Sequence, residues 1–292
     1  MMSMTPVPAR YATEAAAPAG IAAAETRLVP AVERAVRLLD ALAAARQPLS
    51  LAELARMLAL PKSSVHGLLG TLTALGLARR DADGEFSLGA KPLQWADVYS
   101  AQSDVLRAFD AQADHPALRT ETTMLAVLDG ADVMYLACRQ GSRPLAVNFR
   151  VGGRFPACRT STGKAIMATL PQARVRDLVG DGALPRLTRR GVATADALVQ
   201  HLAEFRELGY AIDDEETAEG MQCFGAPIFG TRSEEAIAAV AVSVIKAGLT
   251  ARRRQELVAA IRELADAISR SLGAERPLVP HGPREPQPAR IV

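Results

Sequence analysis

The stretch from Leu49 to Leu75 constrains the fold of this chain more than any other feature. Ser50 is followed three residues later by Glu53, the spacing of a capping box, in which each side chain satisfies a backbone N–H at the start of a helix. Apolar residues then recur at helical spacing at Leu51, Leu54, Ala55 and Leu58. The pattern predicts a short amphipathic helix that buries one face.

A second helix is predicted after Pro61, because proline lacks an N–H and suits the first turn of a helix. Its apolar stripe consists of Val65, Leu68, Leu69, Leu72 and Leu75. Two short helices joined by a tight turn form a helix-turn-helix, whose second helix can lie in the major groove of DNA. The residues predicted to contact DNA from this helix are Lys62, Ser63, Ser64, His66 and Thr71. The alternative is a helical hairpin that belongs to some other core.

Residues 77–88 continue this pattern as a predicted hairpin, the wing of a winged helix-turn-helix. Asp83 and Gly84 suit a hairpin turn because both residue types tolerate positive φ. Arg79 and Arg80 on the first strand are predicted to neutralise DNA phosphates, and the acidic residues beside them indicate that only part of the wing faces DNA. A preceding helix over residues 30–45 is predicted to pack through Val32, Val36, Leu39 and Leu42.

Length and composition limit the number of domains and the classes of function open to the chain. A chain of 292 residues favours about two domains. The formal net charge is only +2, so DNA contact requires local placement of basic groups. Three cysteines without C-x-x-C spacing favour reduced thiols in the cytoplasm over disulfides or a zinc site. The longest apolar run, residues 236–245, is too short to span a bilayer and predicts a buried strand, so no membrane partner is expected.

The predicted domain order has five segments: a disordered leader at 1–27, a winged helix-turn-helix at 28–90, a connecting helix at 91–115, a second domain at 116–273 and a disordered tail at 274–292. Trp95, Val98, Val105 and Phe109 give the connecting helix an apolar side over residues 92–113. That side can pack on its own domain or on a second subunit. We favour the second subunit, since paired recognition helices read two half-sites.

Strands and helices mix in the second domain. The predicted strands are 124–128, 133–138, 145–149, 210–212, 224–229 and 237–246, and the predicted helices are 161–170, 172–179, 196–208 and 250–271. This alternation, after an all-helical start, predicts an α+β fold.

Three blocks of sequence, in this order, resemble the IclR family of transcriptional regulators: LAELARMLALPKSSVHGLLGTL, GGRFPACRTSTGKAIMATL, and GYAIDDEETAEGMQCFGAPIF followed by AIAAVAVSV. The resemblance implies a winged helix-turn-helix joined by a helix to a GAF-like α/β effector domain, in a homodimer or tetramer that represses or activates genes. It implies a double-stranded DNA operator, a small organic or aromatic acid as effector, and no cofactor, metal or catalytic residue. The implied effector residues are Phe155, Ser161, Thr162, Asp213, Met221, Cys223, Gly225, Ala241 and Ser243.

The start of the predicted helix at Ser161 agrees with a carboxylate effector, since free N–H groups at a helix start bind anions. The alternative is that Ser161 and Thr162 only cap the helix. Gly163 and Lys164 do not form a P-loop, because Cys158 replaces the required earlier glycine and Ala165 replaces the magnesium-binding hydroxyl.

Two other interpretations of the same region were weighed. Residues 213–216 are all acidic and can serve acid–base or metal chemistry, but a solvated acidic turn is the commoner structure, so only Asp213 is assigned to the effector site. Cys223 can act as the nucleophile of a thiol enzyme only if a base lowers its pKa. A further alternative is a DNA-binding regulator whose second domain serves only oligomerisation.

The chain departs from the family pattern at three places. Gly67 and Gly70 lie on the exposed face of the recognition helix and cannot read base edges, which predicts weaker specificity or greater use of the wing. Cys158 stands where the family has a histidine. The segment 113–121 is several residues short, which predicts altered communication between the two halves.

Overall fold

The computed structural model describes residues 28–45, 47–142, 145, 149–231 and 233–275. Most of the predicted leader and tail, and most of the predicted strand 145–149, lie outside these ranges. The described chain divides into two compact units between Ser103 and Asp104. We call them the N-terminal unit and the C-terminal unit.

The N-terminal unit is a winged helix-turn-helix. Its elements are α1 (Pro30–Ala44), α2 (Leu51–Met57), α3 (Lys62–Ala74), β1 (Ala78–Arg80), β2 (Phe86–Leu88) and α4 (Lys91–Gln102). The capping box is confirmed: the Glu53 N–H donates to Ser50 Oγ at 3.3 Å, and the Ser50 N–H donates to Glu53 Oε2 at 2.8 Å. An N-cap of this kind contributes roughly 1 kcal/mol.

The turn between α2 and α3 places Ala59 at φ +52°, in the left-handed region. Pro61 is the residue before α3 rather than part of its first turn. Val65, Leu69 and Leu72 are buried as predicted. Leu75 is 51% exposed, contrary to the prediction, and is the C-cap residue that follows the last helical residue, Ala74.

The buried face of α1 agrees with the predicted one only in its second half. Leu42 is buried and Leu39 packs against the core, as predicted, together with the unpredicted Leu38 and Ala41, whereas Val32 and Val36 are exposed. The helix carries apolar residues on two sides, and the spacing alone could not tell which side faces the core.

The wing is confirmed as an antiparallel hairpin in which Ala78 pairs with Leu88 and Arg80 with Phe86. Gly84 takes the positive φ of the turn, +86°, and Asp83 does not. Leu49 adds a bridge to the hairpin: its N–H donates to the Phe86 carbonyl at 2.9 Å, and the Phe86 N–H donates back at 2.8 Å. The residues before α2 are thereby tied to the wing.

The connecting segment is not the single helix that was predicted. The chain becomes extended at Ser103 (ψ 103°), which separates α4 from α5 (Asp104–Gln112). Nothing in α4 is buried, whereas Phe109 of α5 is fully buried in the C-terminal unit. The apolar residues that suggested one helix therefore belong to two helices with different surroundings.

The C-terminal unit is built on a six-stranded sheet with the order β5-β4-β3-β8-β7-β6. Its strands are β3 (Thr122–Asp129), β4 (Asp132–Arg139), β5 (Arg154–Pro156), β6 (Ala211–Asp214), β7 (Met221–Ile228) and β8 (Ala238–Ile245). All its strand pairings are antiparallel, which gives the α+β class. Strand β5 was not predicted, and neither residue 145 nor residue 149 lies in a strand.

Helices cover both faces of this sheet. The helices are α5, α6 (Ser161–Met167), α7 (Gln172–Val179), α8 (Ala195–Leu208) and α9 (Ala251–Ser271). α6, α7 and α8 share a core with one face, which we call the inner face, and α5 and α9 pack on the opposite face. No helix in the described ranges is both long enough and apolar enough to cross a membrane.

Candidate functional site

The exposed face of α3 carries most of the residues predicted to bind DNA. Lys62, Ser63 and His66 are exposed, and Ser64 is half-buried. The Thr71 hydroxyl donates to the Gly67 carbonyl at 3.1 Å, so its proton is engaged within the helix. A Cβ added at Gly67 would meet no atom within 4 Å, and the same holds for the glycine at position 70. Nothing in the described chain therefore requires glycine on this face.

The two wing arginines lie on opposite faces of the hairpin, because neighbouring residues of a strand alternate. Arg79 pairs with Ser87 and donates from Nε to its Oγ at 2.8 Å. Arg80 shares its face with Phe86; its guanidinium lies 5.6 Å from the ring centroid, and its Nε donates to the Gly84 carbonyl at 3.2 Å. The two arginines therefore do not lie on one surface of the wing.

Asp81 has a structural role in the wing that the charge pattern did not reveal. Its Oδ1 accepts from the N–H of Asp83 at 3.1 Å and from the N–H of Glu85 at 2.9 Å. An aspartate that bonds backbone N–H groups ahead of it stabilises a tight turn. This carboxylate helps to form the turn, whatever the wing contacts.

On the inner face of the C-terminal unit, four polar residues form one row across four adjacent strands. The strand registers pair Thr122 with Ser243, Ser243 with Cys223, and Cys223 with Asp213. All four are at most 3% exposed. We call this set the polar row. The family resemblance implied its last three members but not Thr122, which only the β3–β8 register reveals.

The remaining predicted effector residues surround the polar row. Gly225 pairs with Ala241 in the neighbouring, apolar row. Met221 lies on β7 two residues before Cys223, and Phe155 lies on β5 in a cluster of rings with Tyr135 and Phe149. All nine predicted residues except the half-buried Phe155 are buried. Tyr135 was missed; burial raises the pKa of its hydroxyl, and a hydrogen bond with Thr162 opposes the shift.

The N-cap of α6 is Thr160, whereas the sequence analysis considered only Ser161 and Thr162 as capping residues. Its Oγ1 accepts from the Gly163 N–H at 3.0 Å, and Ser161 and Thr162 do not cap the helix. Gly225 lies so close that a Cβ there would come within 2.5 Å of the Ser161 carbonyl oxygen. The helix has only seven residues and its start is packed against β7, so the structure gives no support for an anion site formed by this helix start.

Asp213 occupies the end of the polar row with only one of its oxygens satisfied. Oδ1 accepts from the N–H of Glu216 at 2.8 Å and from that of Thr217 at 3.1 Å. Oδ2 is buried and has no hydrogen-bond partner among the described residues. Burial raises the pKa of Asp213 to about 6, and the nearby positive charge of Lys164 opposes the shift.

A buried ionic cluster adjoins the polar row. Lys164 bonds to Glu216 Oε1, and Arg159 Nη1 lies 3.5 Å from Glu216 Oε2. Arg159 also donates to the carbonyls of Pro185 at 2.6 Å and Val192 at 2.7 Å, which holds the segment before α8 over the cluster. No periodicity in the sequence could have indicated that these two cations are buried.

Residues 213–216, the acidic run, do not form the solvated turn that the sequence analysis favoured. Asp213 and Glu216 are buried. Glu215 has φ +62° and accepts from Lys246 Nζ at 2.7 Å, and Asp214 lies 2.8 Å from the same nitrogen. The described residues contain no cluster of His, Cys, Asp and Glu suited to a metal ion.

Cys223 is placed for packing rather than for nucleophilic attack. Its Sγ lies 3.0 Å from Ser243 Oγ. Burial raises the pKa of the thiol well above its ordinary value, and the negative charge of Asp213 adds to the shift. Since the thiolate is the reactive form, the environment works against the thiol-enzyme alternative.

Comparison with known proteins decides the family. The model of the IclR helix-turn-helix domain matches residues 31–82, and the model described as bacterial transcriptional regulator IclR C-terminal matches residues 99–270. The chain belongs to the IclR family. It is therefore a DNA-binding transcriptional regulator with a ligand-responsive domain.

The similarity to individual IclR-family proteins extends over nearly the whole length of those proteins. The probable transcriptional regulator SauR of Cupriavidus necator is 33% identical, over 82% of this chain and 95% of that protein. The Agobacterium tumefaciens repressor BlcR, known from a crystal structure, is 38% identical in sequence. The structural match covers 86% of this chain and 100% of the BlcR chain, with a TM-score of 0.56.

A third IclR homologue, from Microbacterium hydrocarbonoxydans, was crystallised in complex with 4-hydroxybenzoate. It is 23% identical, covers 83% of this chain and 99% of its own, and has a TM-score of 0.70. At that identity the likeness is one of fold.

Proposed function

We propose that this IclR-family regulator binds its operator through α3 and one face of the wing, and that a small organic acid bound at the polar row changes operator affinity. The observation that carries the proposal is the row itself, Thr122–Ser243–Cys223–Asp213, a line of polar groups on an otherwise apolar inner face. Buried polar groups cost free energy unless they are paired, and a ligand with donors and acceptors of its own would add partners for the row.

The assignment of the acid class draws on one relative. The Microbacterium homologue was crystallised with 4-hydroxybenzoate, and hydroxyl groups of the row can donate to a carboxylate. A ligand shifts operator affinity only if it binds the two arrangements of the protein unequally. The rival, in which the C-terminal unit serves only assembly, predicts no thermal shift with any small acid.

The DNA contacts are tested on the duplex upstream of the protein's own gene against a scrambled duplex, across a salt series. We expect His66→Ala to reduce the preference for the native duplex by about tenfold, because a base contact contributes about 1–3 kcal/mol. Lys62→Ala should weaken both duplexes alike, since a phosphate contact carries no sequence information. Equal binding of both duplexes by the wild type would contradict sequence readout from α3.

We further propose that the protein acts as a homo-oligomer whose basic unit is a dimer, working in the cytoplasm with its DNA. Leu93, Trp95, Val98 and Tyr99 of α4 are each more than half exposed, a concentration of apolar side chains typical of protein interfaces. Sedimentation of the wild-type protein would also distinguish a dimer from a tetramer.

Sedimentation of Trp95→Ala tests the dimer. We expect self-association to weaken by tenfold or more, because buried tryptophans dominate interface energies. Gln94→Ala on the same helix is the matched control, with an exposed polar side chain. Unchanged association of Trp95→Ala would place the interface elsewhere.

A further inference from the structure

We infer that a groove on the C-terminal unit binds a proline-rich segment of this same chain, residues 277–280 (PLVP), in the polyproline II conformation. The segment follows α9 and lies outside the described ranges. Neither the operator contacts nor the polar row takes part in this interaction.

The groove, which we call the aromatic groove, lies where α6 and α8 end beside the last residues of β7. Its volume is about 270 Å³. The exposed side chains of Arg206 and Glu234 contribute one charge of each sign. The apolar part of its lining includes three aromatic rings and consists of Ala165, Ala168, Phe205, Tyr210, Pro227 and Phe229. The groove is therefore suited to an apolar segment rather than to a strongly charged one.

The edge of β7 beside the groove argues against an added strand as the occupant. β6 begins at Ala211, opposite Gly225, so it leaves the last three residues of β7 without a β6 partner. The Glu215 N–H donates to the Met221 carbonyl at 2.9 Å on the β6 side. Backbone groups of alternate residues face the same neighbouring strand, so Pro227, six positions after Met221, also faces this side. Because proline has no N–H to offer a strand, an occupant must be held mainly by side-chain contacts.

The chain after α9 reaches the face of the sheet on which the groove lies. α9 itself packs on the opposite face, but Gly273 takes a positive φ, +78°, and Ala274 packs against the inner-face core. The N–H of Phe229, a residue of the groove, donates to Ser269 Oγ near the end of α9 at 3.0 Å. The segment therefore begins beside the groove and needs no long linker to enter it.

The residues after Glu275 repeat proline with the period of a polyproline II helix. A polyproline II helix has three residues per turn, so prolines at every third position would share one edge. Leu278 and Val279 make the first turn apolar, whereas Arg284 and Glu285 make a later turn charged. Such helices bind aromatic-lined grooves because they are formed before binding and lose little conformational entropy. The prolines at this spacing are Pro277, Pro280, Pro283 and Pro286.

The test measures whether the segment keeps a copy of itself out of the groove. The probe is a fluorescein-labelled peptide with the sequence of residues 275–282, ERPLVPHG, added to the full-length protein and followed by anisotropy. The first variant carries Pro277→Ala and Pro280→Ala, and the matched control carries Pro283→Ala and Pro286→Ala. A tethered segment acts at an effective concentration of the order of millimolar, so we expect the peptide to bind the first variant at least tenfold more tightly than the wild type. The control should exclude the peptide as the wild type does.

Photo-cross-linking locates the bound peptide without altering the groove. Benzoylphenylalanine replaces the peptide residue that corresponds to Leu278, and the peptide is irradiated with the first variant. We expect mass spectrometry to place the cross-links within residues 165–169, 205–210 or 227–229. A scrambled peptide of the same composition should neither bind nor cross-link.

Other results overturn the inference in distinguishable ways. Equal affinity of the peptide for the wild type and the first variant, at any level including none, would mean that the segment does not occupy the groove. Cross-links elsewhere would refute the groove as the binding site, and release by the control variant would move the contact to the later prolines. If dilution of the wild type lets the peptide bind, the segment comes from a second copy and the intramolecular assignment is wrong.

Discussion

The two units of this regulator present their polar groups in opposite ways. The α3 surface is exposed, is formed by consecutive turns of one helix, and contains glycines with open space around them. The polar row is buried and is formed by residues from four strands, with Thr122 and Ser243 more than a hundred positions apart in the sequence. If α3 binds DNA as proposed, its surface needs little internal support to meet a large polyanion. A small molecule bound at the polar row, as proposed, would require the surrounding fold to fix each group.

The same substitution should have opposite effects in the two units. Gly225→Ala forces a Cβ to within 2.5 Å of the Ser161 carbonyl oxygen, so we expect a loss of about 3 kcal/mol in the free energy of unfolding. Gly67→Ala meets no atom within 4 Å and should gain about 1 kcal/mol from helix propensity. Urea unfolding followed by circular dichroism measures both. Similar changes in the two variants would refute the distinction between open and packed glycines.

A pH series sharpens the contrast between buried and exposed carboxylates. Because burial raises the pKa of Asp213 from 3.8 to about 6, the folded chain binds more protons than the unfolded chain between these values. This group's contribution to wild-type stability therefore falls as pH rises from about 4 to about 6, and is constant above. Asp213→Asn lacks this loss, so its stability relative to wild type should rise by about 3 kcal/mol between pH 4 and pH 7.

The control for the pH series is Asp214→Asn, whose carboxylate is paired at the surface with Lys246. Its stability relative to wild type should not show the same rise between pH 4 and pH 6. A difference between Asp213→Asn and wild type that stays constant with pH would mean that Asp213 titrates normally in the folded chain.

The wing offers the smallest effect and the finest distinction. Arg79 and Arg80 lie on opposite faces of the hairpin, so we expect only one of the two alanine variants to reduce the slope of log affinity against log salt, by about 0.9 for one phosphate contact. Filter binding or fluorescence anisotropy across a salt series measures the slope. Equal reductions in both variants would mean that the wing inserts edge-on and uses both faces.

Local signals in the sequence predicted the N-terminal unit well. The capping box at Ser50, the apolar stripe of α3 and the Asp-Gly turn depend on residues a few positions apart, and the structure contains all three. The prediction failed where a segment had two apolar sides, as in α1, or where tertiary surroundings changed along one pattern, as at Ser103. Helical spacing indicates a buried side but not what covers it.

The C-terminal site was predictable only in part. Family blocks led to Asp213, Cys223 and Ser243, but Thr122 joins them through a register that no local pattern encodes. Likewise, no local pattern indicates that Lys164 is buried and bonded to Glu216, 52 positions later. Long-range pairing decides such features, so they become visible only in the folded chain.

The strand order has a consequence for the newly made protein. The N-terminal unit is complete once Ser103 has been synthesised, whereas the polar row is incomplete until β8 supplies Ser243. Since domains generally fold as units, with the N-terminal one first during synthesis, each molecule acquires its means of holding DNA well before its means of sensing a metabolite. A chain that stops before β8 would be a DNA-binding protein with no effector to govern it.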